Sequence, residues 1–129
     1  MTDAGIPDGV AVETIFIVEI SYEDDAADKR PAVRPEHLTR VARLMQEGRL
    51  IEAGGYLDLS SALLWVRAPS EAEAVALVRD DVYIREGVWR DDARARPFGR
   101  VVLTSGPGAG TGPRTQGLQE PDRPAARGR

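Results

Sequence analysis

Segments with strand-like and helix-like patterns alternate along residues 14–104, in the order strand, helix, strand, strand, helix, strand. The clearest strand is residues 14–22, TIFIVEISY, which is rich in β-branched and aromatic residues. This order of elements is the βαββαβ arrangement of the ferredoxin-like split motif. The sequence therefore predicts an α+β fold in which an antiparallel sheet is covered by two helices.

The first helix is predicted to begin near Arg34 and Pro35, after an acidic loop at residues 23–31. Proline suits a first helical turn because the N–H that it lacks would have no partner there. Gly48 is expected to end the helix as a C-cap. The apolar positions that recur with helical period, and that we expect to be buried, are Leu38, Val41, Ala42 and Met45, flanked by Leu44.

A hairpin is predicted from strands at residues 49–57 and 62–67. Ser70 and Glu73 have the spacing of a capping box, which predicts a second helix over residues 71–79. Residues 80–86 are expected to form a turn or a single helical turn. The last extended region, residues 87–104, is expected to be broken near Pro97 and Gly99.

The two ends of the chain differ in composition from the middle. We expect a flexible leader at residues 1–12, one domain at residues 13–105 and a disordered tail at residues 106–129. The tail has six glycines, four prolines and one large aliphatic residue, Leu118, so it has too little apolar surface to offset the entropy of ordering.

Charge and cysteine content narrow the classes of function. The net charge of -4 argues against a nucleic-acid-binding protein and against adsorption to an anionic membrane. The chain has no cysteine, which rules out disulfides and thiolate nucleophiles and fits a reducing compartment. Residues 1–12 lack the basic start and apolar run of a signal peptide, so we expect a cytoplasmic protein.

No cofactor or metal site is predicted. One histidine and no cysteine cannot make a common zinc site within one chain. The glycine-rich run at residues 106–112 is not followed by the Gly-Lys-Ser/Thr of a phosphate-binding loop.

Several short motifs occur in a characteristic order. Arg34-Pro35-Glu36-His37-Leu38 matches R-x-x-H-L, and residues 48–55 match G-x-L-x-x-A-G-P except that Gly55 replaces the proline. Asp81-Val82-Tyr83 matches D-P-F/Y with Val82 in place of proline, and a Gly-Val pair follows at residues 87–88. With these motifs, residues 14–104 resemble the YCII-related family.

The resemblance implies a ferredoxin-like α+β fold of the dimeric α/β-barrel type, paired through its sheets. It also implies an active site at the positions that match the family motifs, His37 and Asp81. Arg34, Tyr83 and Gly54 are the predicted substrate-binding residues. The expected partners are a second copy of the chain and a small organic ligand.

Each site residue has a structural and a functional interpretation. His37 is either a half-buried residue bonded to a loop or a general acid–base, kept neutral by the dipole of a nearby helix N-terminus. Asp81 is either a solvated turn residue or the carboxylate that orients His37. Arg34 could bind a carboxylate, or it could pair with Glu36, Asp28 or Asp24 at the surface.

The aromatic residues are expected mainly in the core or at an interface, although one of Tyr22, Tyr56, Tyr83 and Trp65 could form a wall of a pocket. We expect the dimer to bury Trp89 in the last strand. Leu63, Trp65 and Val88 are the candidates to fill the sheet face that the helices leave open.

Three functions fit these residues. The first is a cofactor-independent acid–base enzyme of isomerase or lyase type that uses a His–Asp pair. The second is a non-catalytic dimeric module that binds a ligand or a protein. The third is a cofactor-free monooxygenase, which rests on fold analogy alone.

Overall fold

The computed structural model describes residues 5–104, so residues 1–4 and the predicted tail at residues 106–129 lie outside the described part. The elements are β1 (Val10–Ser21), α1 (Ala26–Gln46), β2 (Leu50–Gly55), β3 (Ser61–Val66), α2 (Glu71–Arg79), α3 (Val82–Arg85) and β4 (Arg94–Leu103). One compact unit is Thr14–Phe98, and the other takes in the described residues on either side of it. No helix within residues 5–104 is long and apolar enough to cross a bilayer.

The strands form one sheet in the order β2-β3-β1-β4. β3 pairs antiparallel with both β1 and β2, and Ile17 lies opposite Trp65 in the β1–β3 ladder. This order, with helices between β1 and β2 and between β3 and β4, is that of the ferredoxin-like motif. The predicted α+β ferredoxin-like fold is confirmed.

The helices cover one face of the sheet and bury the core. Alternate residues of β1 and β3 point toward the helices because side chains alternate across a strand. The sheet contributes Val18, Ile20, Leu64 and Val66 to the buried cluster, and the helices contribute Leu44, Val78, Val82 and Tyr83.

α1 begins at Ala26, eight residues before the predicted start, so the prediction of a loop at residues 23–31 is wrong. Ala26 is almost completely buried, and the carbonyl of Asp25 accepts hydrogen bonds from the N–H groups of Asp28 and Lys29. Helix formation therefore continues through Pro31 and Pro35, although each proline removes one helical hydrogen bond. Tertiary burial of the first turn outweighs the local preference for proline at a helix start.

The face that α1 buries also differs from the predicted one. Leu38 and Met45 are 48% and 38% exposed, whereas His37 and Leu44 are buried. The predicted buried face of α1 is therefore wrong: the observed face is shifted by about one residue position along the sequence. The sequence signal fails here because a histidine occupies the centre of the buried face.

β4 runs through Pro97 and Gly99 without the predicted break. Proline is tolerated because β4 is the last strand in the sheet order, and an edge strand has one row of backbone groups without ladder partners. β1 also begins earlier than predicted, at Val10, within the segment expected to be a flexible leader.

Residues 87–93 precede β4 and are not part of it. Trp89 forms only an isolated bridge with Tyr22. Val88 and Trp89 are buried in the core of the single chain. The prediction that a dimer interface buries them is wrong because the segment folds inward beside α3.

The remaining local predictions hold. α2 spans the predicted residues, and the hydroxyl of Ser70 accepts a hydrogen bond of 3.1 Å from the N–H of Glu73. α3 is the single helical turn expected at residues 80–86. The hairpin strands lie within one or two residues of their predicted bounds.

Gly48 ends α1 as predicted. Its φ angle is +77°, in the left-handed region that favours glycine. The N–H of Gly48 bonds to the carbonyl of Met45, and the N–H of Arg49 bonds to the carbonyl of Leu44. These two bonds form a Schellman motif.

We expect Gly48→Ala to lower the free energy of unfolding by about 1 kcal/mol because a Cβ is disfavoured in the left-handed region. Gly54→Ala is the matched control, since a Cβ at Gly54 would meet no atom within 4 Å. Urea denaturation of both variants measures the difference. Equal stability of the two variants would contradict the proposed role of the positive φ angle.

Candidate active site

Asp81 lies between α2 and α3 and is the N-cap of α3. Its Oδ1 accepts a hydrogen bond of 2.9 Å from the N–H of Tyr83, which satisfies a donor that the short helix leaves free. Only 1% of Asp81 is exposed. A buried carboxylate requires several donors, because an unpaired buried charge is costly.

α1 supplies two of those donors. Nδ1 of His37 lies 2.8 Å from Oδ1 of Asp81, and Nη1 of Arg40 lies 3.1 Å from Oδ2. His37 and Arg40 are three residues apart on the helix and therefore project from the same face. Nη2 of Arg40 also donates to the carbonyl of Leu77 at 2.7 Å, which ties α1 to α2.

These contacts determine the charge of Asp81. Burial alone would raise the pKa of Asp81, but the hydrogen bonds from His37 and from the Tyr83 N–H oppose that effect. The positive charge of Arg40 adds to them, and the pKa is lowered below its ordinary value. Asp81 is therefore a carboxylate at neutral pH, and it accepts every hydrogen bond that it makes.

The carboxylate selects the tautomer of neutral His37. Because Asp81 only accepts, Nδ1 of His37 carries the hydrogen and donates it to Oδ1. The lone pair of a neutral ring then lies on Nε2. Nε2 forms no hydrogen bond with any residue in the range 5–104, and His37 lines a pocket.

Aromatic rings hold the imidazole in place. The rings of His37 and Tyr83 are stacked with centroids 3.7 Å apart and planes 8° apart. The ring of Trp89 meets both of them edge-on, at 5.2 Å from His37 and 5.1 Å from Tyr83. The stack fixes the plane of the imidazole, and Asp81 fixes its rotation within that plane.

The pocket beside His37 has a volume of about 390 Å³. Its lining comes from α1, from β2 and the following turn, from β3 and from the α3 region. The lining residues are Tyr22, Arg30, Arg34, His37, Leu38, Val41, Ala53, Gly54, Gly55, Tyr56, Leu57, Leu59, Ala62, Leu64, Tyr83 and Trp89. A volume of this size suits a small organic molecule.

The predicted site residues are close together. His37 and Asp81 are in hydrogen-bond contact, and Arg34, Tyr83 and Gly54 all line the pocket. Their catalytic and binding roles remain predictions. Gly54 has no side chain and contributes only its backbone to the pocket. A Cβ at the neighbouring Gly55 would collide with the hydroxyl of Tyr22, and neighbouring residues of a strand face opposite sides of the sheet.

One argument about His37 is wrong. His37 is the twelfth residue of α1, counted from Ala26, and does not lie in the first turn. The dipole of the α1 N-terminus, whose effect falls off within one turn, does not keep the ring neutral. The error follows from the misplaced helix start.

Sequence reasoning missed Arg30, Arg40 and Trp89. Arg30 precedes Arg34 by four residues, so an earlier helix start would have placed both on one face. Arg40 follows His37 by three residues within the helix that was predicted, so helical spacing was the signal that could have found it. No local signal marks Trp89, because it reaches the site through the chain reversal after α3.

No group of three or more histidine and acidic side chains that could hold a metal ion occurs within residues 5–104. The polar groups at the site form a network around the carboxylate of Asp81. Its members are an imidazole, a guanidinium and a backbone N–H.

We expect Asp81→Asn to reduce the free energy of unfolding at neutral pH by about 1–3 kcal/mol, since Arg40 loses its buried anionic partner. A carboxyl group with a lowered pKa stabilises the folded state above its unfolded pKa of about 3.9, and this stabilisation is lost as the pH falls through the folded value. The variant should therefore lose less stability than wild type on acidification below about pH 4.

Asp80→Asn is the control, because Asp80 is the neighbouring acid, its side chain is 83% exposed and its Oδ2 approaches Nη2 of Arg40 only to 4.0 Å. Urea denaturation of the three proteins between neutral and acid pH measures the effect. Asp58 and Asp92 also have lowered pKa values, so they contribute to the loss of unfolding free energy at acid pH in all three proteins. Identical profiles for the two variants would show that Asp81 contributes no special stabilisation.

A known domain family and known proteins resemble this chain in sequence. The YCII-related domain matches residues 14–96. Protein YciI of Escherichia coli and Protein YciI of Shigella flexneri are each 28% identical to this chain over 97 residues. Those alignments cover 67% of this chain and 98% of each relative. The β1–β4 domain with its buried His37–Asp81 pair belongs to the YCII-related family.

Proposed function

We propose that this protein is a cofactor-independent acid–base enzyme of isomerase or lyase type, in which His37 moves a proton and Asp81 orients the imidazole. The supporting observation is the arrangement of the two ring nitrogens. Nδ1 is 2.8 Å from a buried carboxylate, and Nε2 has no described partner in a residue that lines the pocket. This is the arrangement that a general base needs.

The proposed step is removal of a proton next to a carbonyl group. The C–H bond breaks, its electron pair moves to the carbonyl oxygen as an enolate, and Nε2 of His37 takes the proton. The carboxylate of Asp81 stabilises the resulting imidazolium. Return of the proton to a different carbon completes an isomerisation, and loss of a leaving group from the enolate completes an elimination.

Arg40 is a positioning residue in this proposal. Its contacts with Oδ2 of Asp81 and with the carbonyl of Leu77 hold the carboxylate in the plane that suits His37. Arg40 is partly buried and does not line the pocket. It therefore restricts Asp81 without contacting a ligand in the pocket.

His37 is the only histidine, so its ring signals can be assigned directly in nitrogen NMR. We expect the neutral ring of the wild type to be the Nδ1–H tautomer, and we expect Asp81→Asn to reduce its population because the amide no longer requires a donor. Asp80→Asn is the control. A neutral ring that is mainly Nε2–H in the wild type would contradict the proposed base.

Activity can be tested by exchange of carbon-bound protons into heavy water, using a panel of small enolisable ketones and keto acids. We expect His37→Asn to lower the exchange rate by about 10²–10⁴-fold. Glu36→Gln is the control, because Glu36 is adjacent in sequence but pairs with Arg85 at the surface. Panel members that bind without exchange by the wild type would favour a non-catalytic binding module.

That module is the second candidate function. Asp81 caps α3 and holds Arg40 in addition to contacting His37, so the same contacts also serve stability. A structural network perturbs pKa values as a catalytic one does. The exchange experiment separates the two functions because only the enzyme requires Nε2 as a base.

We also propose that the protein is a homodimer of the dimeric α/β-barrel type, paired through the sheet face that the helices do not cover. Ile17, Leu63 and Trp65 lie on this face by strand alternation, and Phe98 contacts Trp65 with ring centroids 6.1 Å apart. Phe98 is 44% exposed. A second copy would bury this apolar face, which is unusual on a soluble monomer.

Trp65→Glu should convert the dimer to a monomer at micromolar concentration, because it places a charge in the centre of the proposed interface. Met45→Glu is the control, since Met45 is an exposed apolar residue on α1. Sedimentation velocity measures both variants and the wild type. A monomeric wild type would show that this dimer is not formed.

Two further assignments complete the proposal. We place the protein in the cytoplasm, where a chain without cysteine suits the reducing conditions. We take residues 13–105 as the functional domain, acting on a small organic ligand and not on nucleic acid.

A further inference from the structure

The ionisable groups of the pocket are unusual for this chain. The lining contains Arg30, Arg34, His37 and three tyrosines but no aspartate or glutamate. The chain as a whole has a net charge of -4. The pocket is therefore a positively charged site in an acidic protein, and it favours a negatively charged ligand.

Within residues 5–104, Arg30 and Arg34 have no acidic partner to neutralise them. They are four residues apart on α1 and lie on the same face of the helix. Neither guanidinium forms a hydrogen bond or ion pair with another residue of the described range. Two acids considered as partners for Arg34 are occupied, since Glu36 pairs with Arg85 at 3.1 Å and Asp24 pairs with Arg90 at 2.9 Å.

A second, independent observation concerns Tyr83 and Trp89. Both residues are more than nine-tenths buried and line the same pocket. The hydroxyl of Tyr83 and the indole Nε1 of Trp89 have no hydrogen-bond partner in the described part of the chain. Leaving a buried donor without a partner costs about 1–3 kcal/mol, so two such donors beside one pocket call for an explanation, of which a bound polar group is one.

The electrostatics of Tyr83 connect the two observations. Burial raises the pKa of Tyr83, while the positive charges of Arg30 and Arg34 act in the opposite direction. The two guanidinium groups are thus close enough to influence the buried hydroxyl. The arginines and the unpartnered donors belong to one site.

We propose that this pocket binds a small organic carboxylate, with its carboxylate group on Arg30 and Arg34 and its apolar body against Leu38, Leu59 and Leu64. This proposal rests on the proposed function, because it names the class of substrate for the same pocket. Apart from the lone pair on His37 Nε2, the unpartnered nitrogens of the pocket are donors, so the ligand must present acceptors. The planar fork of a guanidinium matches the two oxygens of a carboxylate.

The apolar part of the lining argues for a carboxylate with a carbon body and against an inorganic anion. Nine of the sixteen lining residues are aliphatic or glycine, among them Leu38, Leu59 and Leu64. A phosphate ion would leave this surface without contact. Anchoring one end of a carboxylic acid on α1 would hold its C–H bonds beside His37, which is also on α1.

The test is a titration followed by NMR signals of the His37 ring and the Trp89 indole. The probes are benzoate, cinnamate and hexanoate, each matched with its neutral amide, and inorganic phosphate. We expect at least one carboxylate to bind about tenfold or more tightly than its amide, and more tightly than phosphate. Arg30→Met and Arg34→Met should each weaken that binding by about tenfold.

Arg43→Met is the matched control, because Arg43 lies on the same helix but pairs with Glu47 and does not line the pocket. His37→Asn should retain carboxylate binding. A wild type that binds carboxylates but exchanges no proton of the enolisable panel would overturn only the proposed base role of His37. Amides that bind as well as their acids, a phosphate preference, or no binding by any carboxylate would overturn the proposed ligand class. The comparison of acid with amide uses the wild type and does not depend on the folding of a variant.

Discussion

The buried carboxylate of Asp81 connects the parts of this molecule that form the site. It accepts hydrogen bonds from a side chain of α1, from a second side chain one turn further along, and from the backbone at the start of α3. An isolated carboxylate at this depth would be strongly destabilising. Its three donors hold it in the charged form, and the charge in turn fixes the position of each donor.

This arrangement gives Asp81 a role both in stability and in the proposed chemistry. The same oxygen that caps α3 orients His37, and the Arg40 contact that neutralises the carboxylate also joins α1 to the end of α2. The imidazole is then confined by Tyr83 on its face and by Trp89 at its edge. A base held in this way loses little entropy when it meets a substrate, which is the usual benefit of preorganisation.

The wall of the pocket opposite α1 depends on a small residue in β2. A Cβ at Gly55 would collide with the hydroxyl of Tyr22, so the edge strand approaches the aromatic cluster only because that position is glycine. In the motif that this segment resembles, the same position is proline. The departure lets Tyr22, which is buried and contacts Trp89, occupy the space beside β2.

Local sequence patterns were sufficient to predict the order of the elements, the ferredoxin-like topology, the bounds of α2 and the Gly48 cap, because these depend on local periodicity and on residues with special backbone preferences. The motif pattern also predicted that His37 and Asp81 face each other, although they lie 44 positions apart in the chain. The start of α1 was not predictable from local rules, because the helix begins at the buried Ala26 and continues through two prolines. That error hid Arg30.

Which polar groups have partners depends on packing between distant parts of the chain. Pairing of Glu36 with Arg85 leaves Arg34 free to face the pocket, and the chain reversal after α3 brings Trp89 beside His37. Such contacts join residues that are distant in the chain, and many alternative pairings have similar local energies. The charge of the pocket and the tautomer of the neutral His37 ring therefore follow from the packing of α1 against α3, which no local pattern encodes.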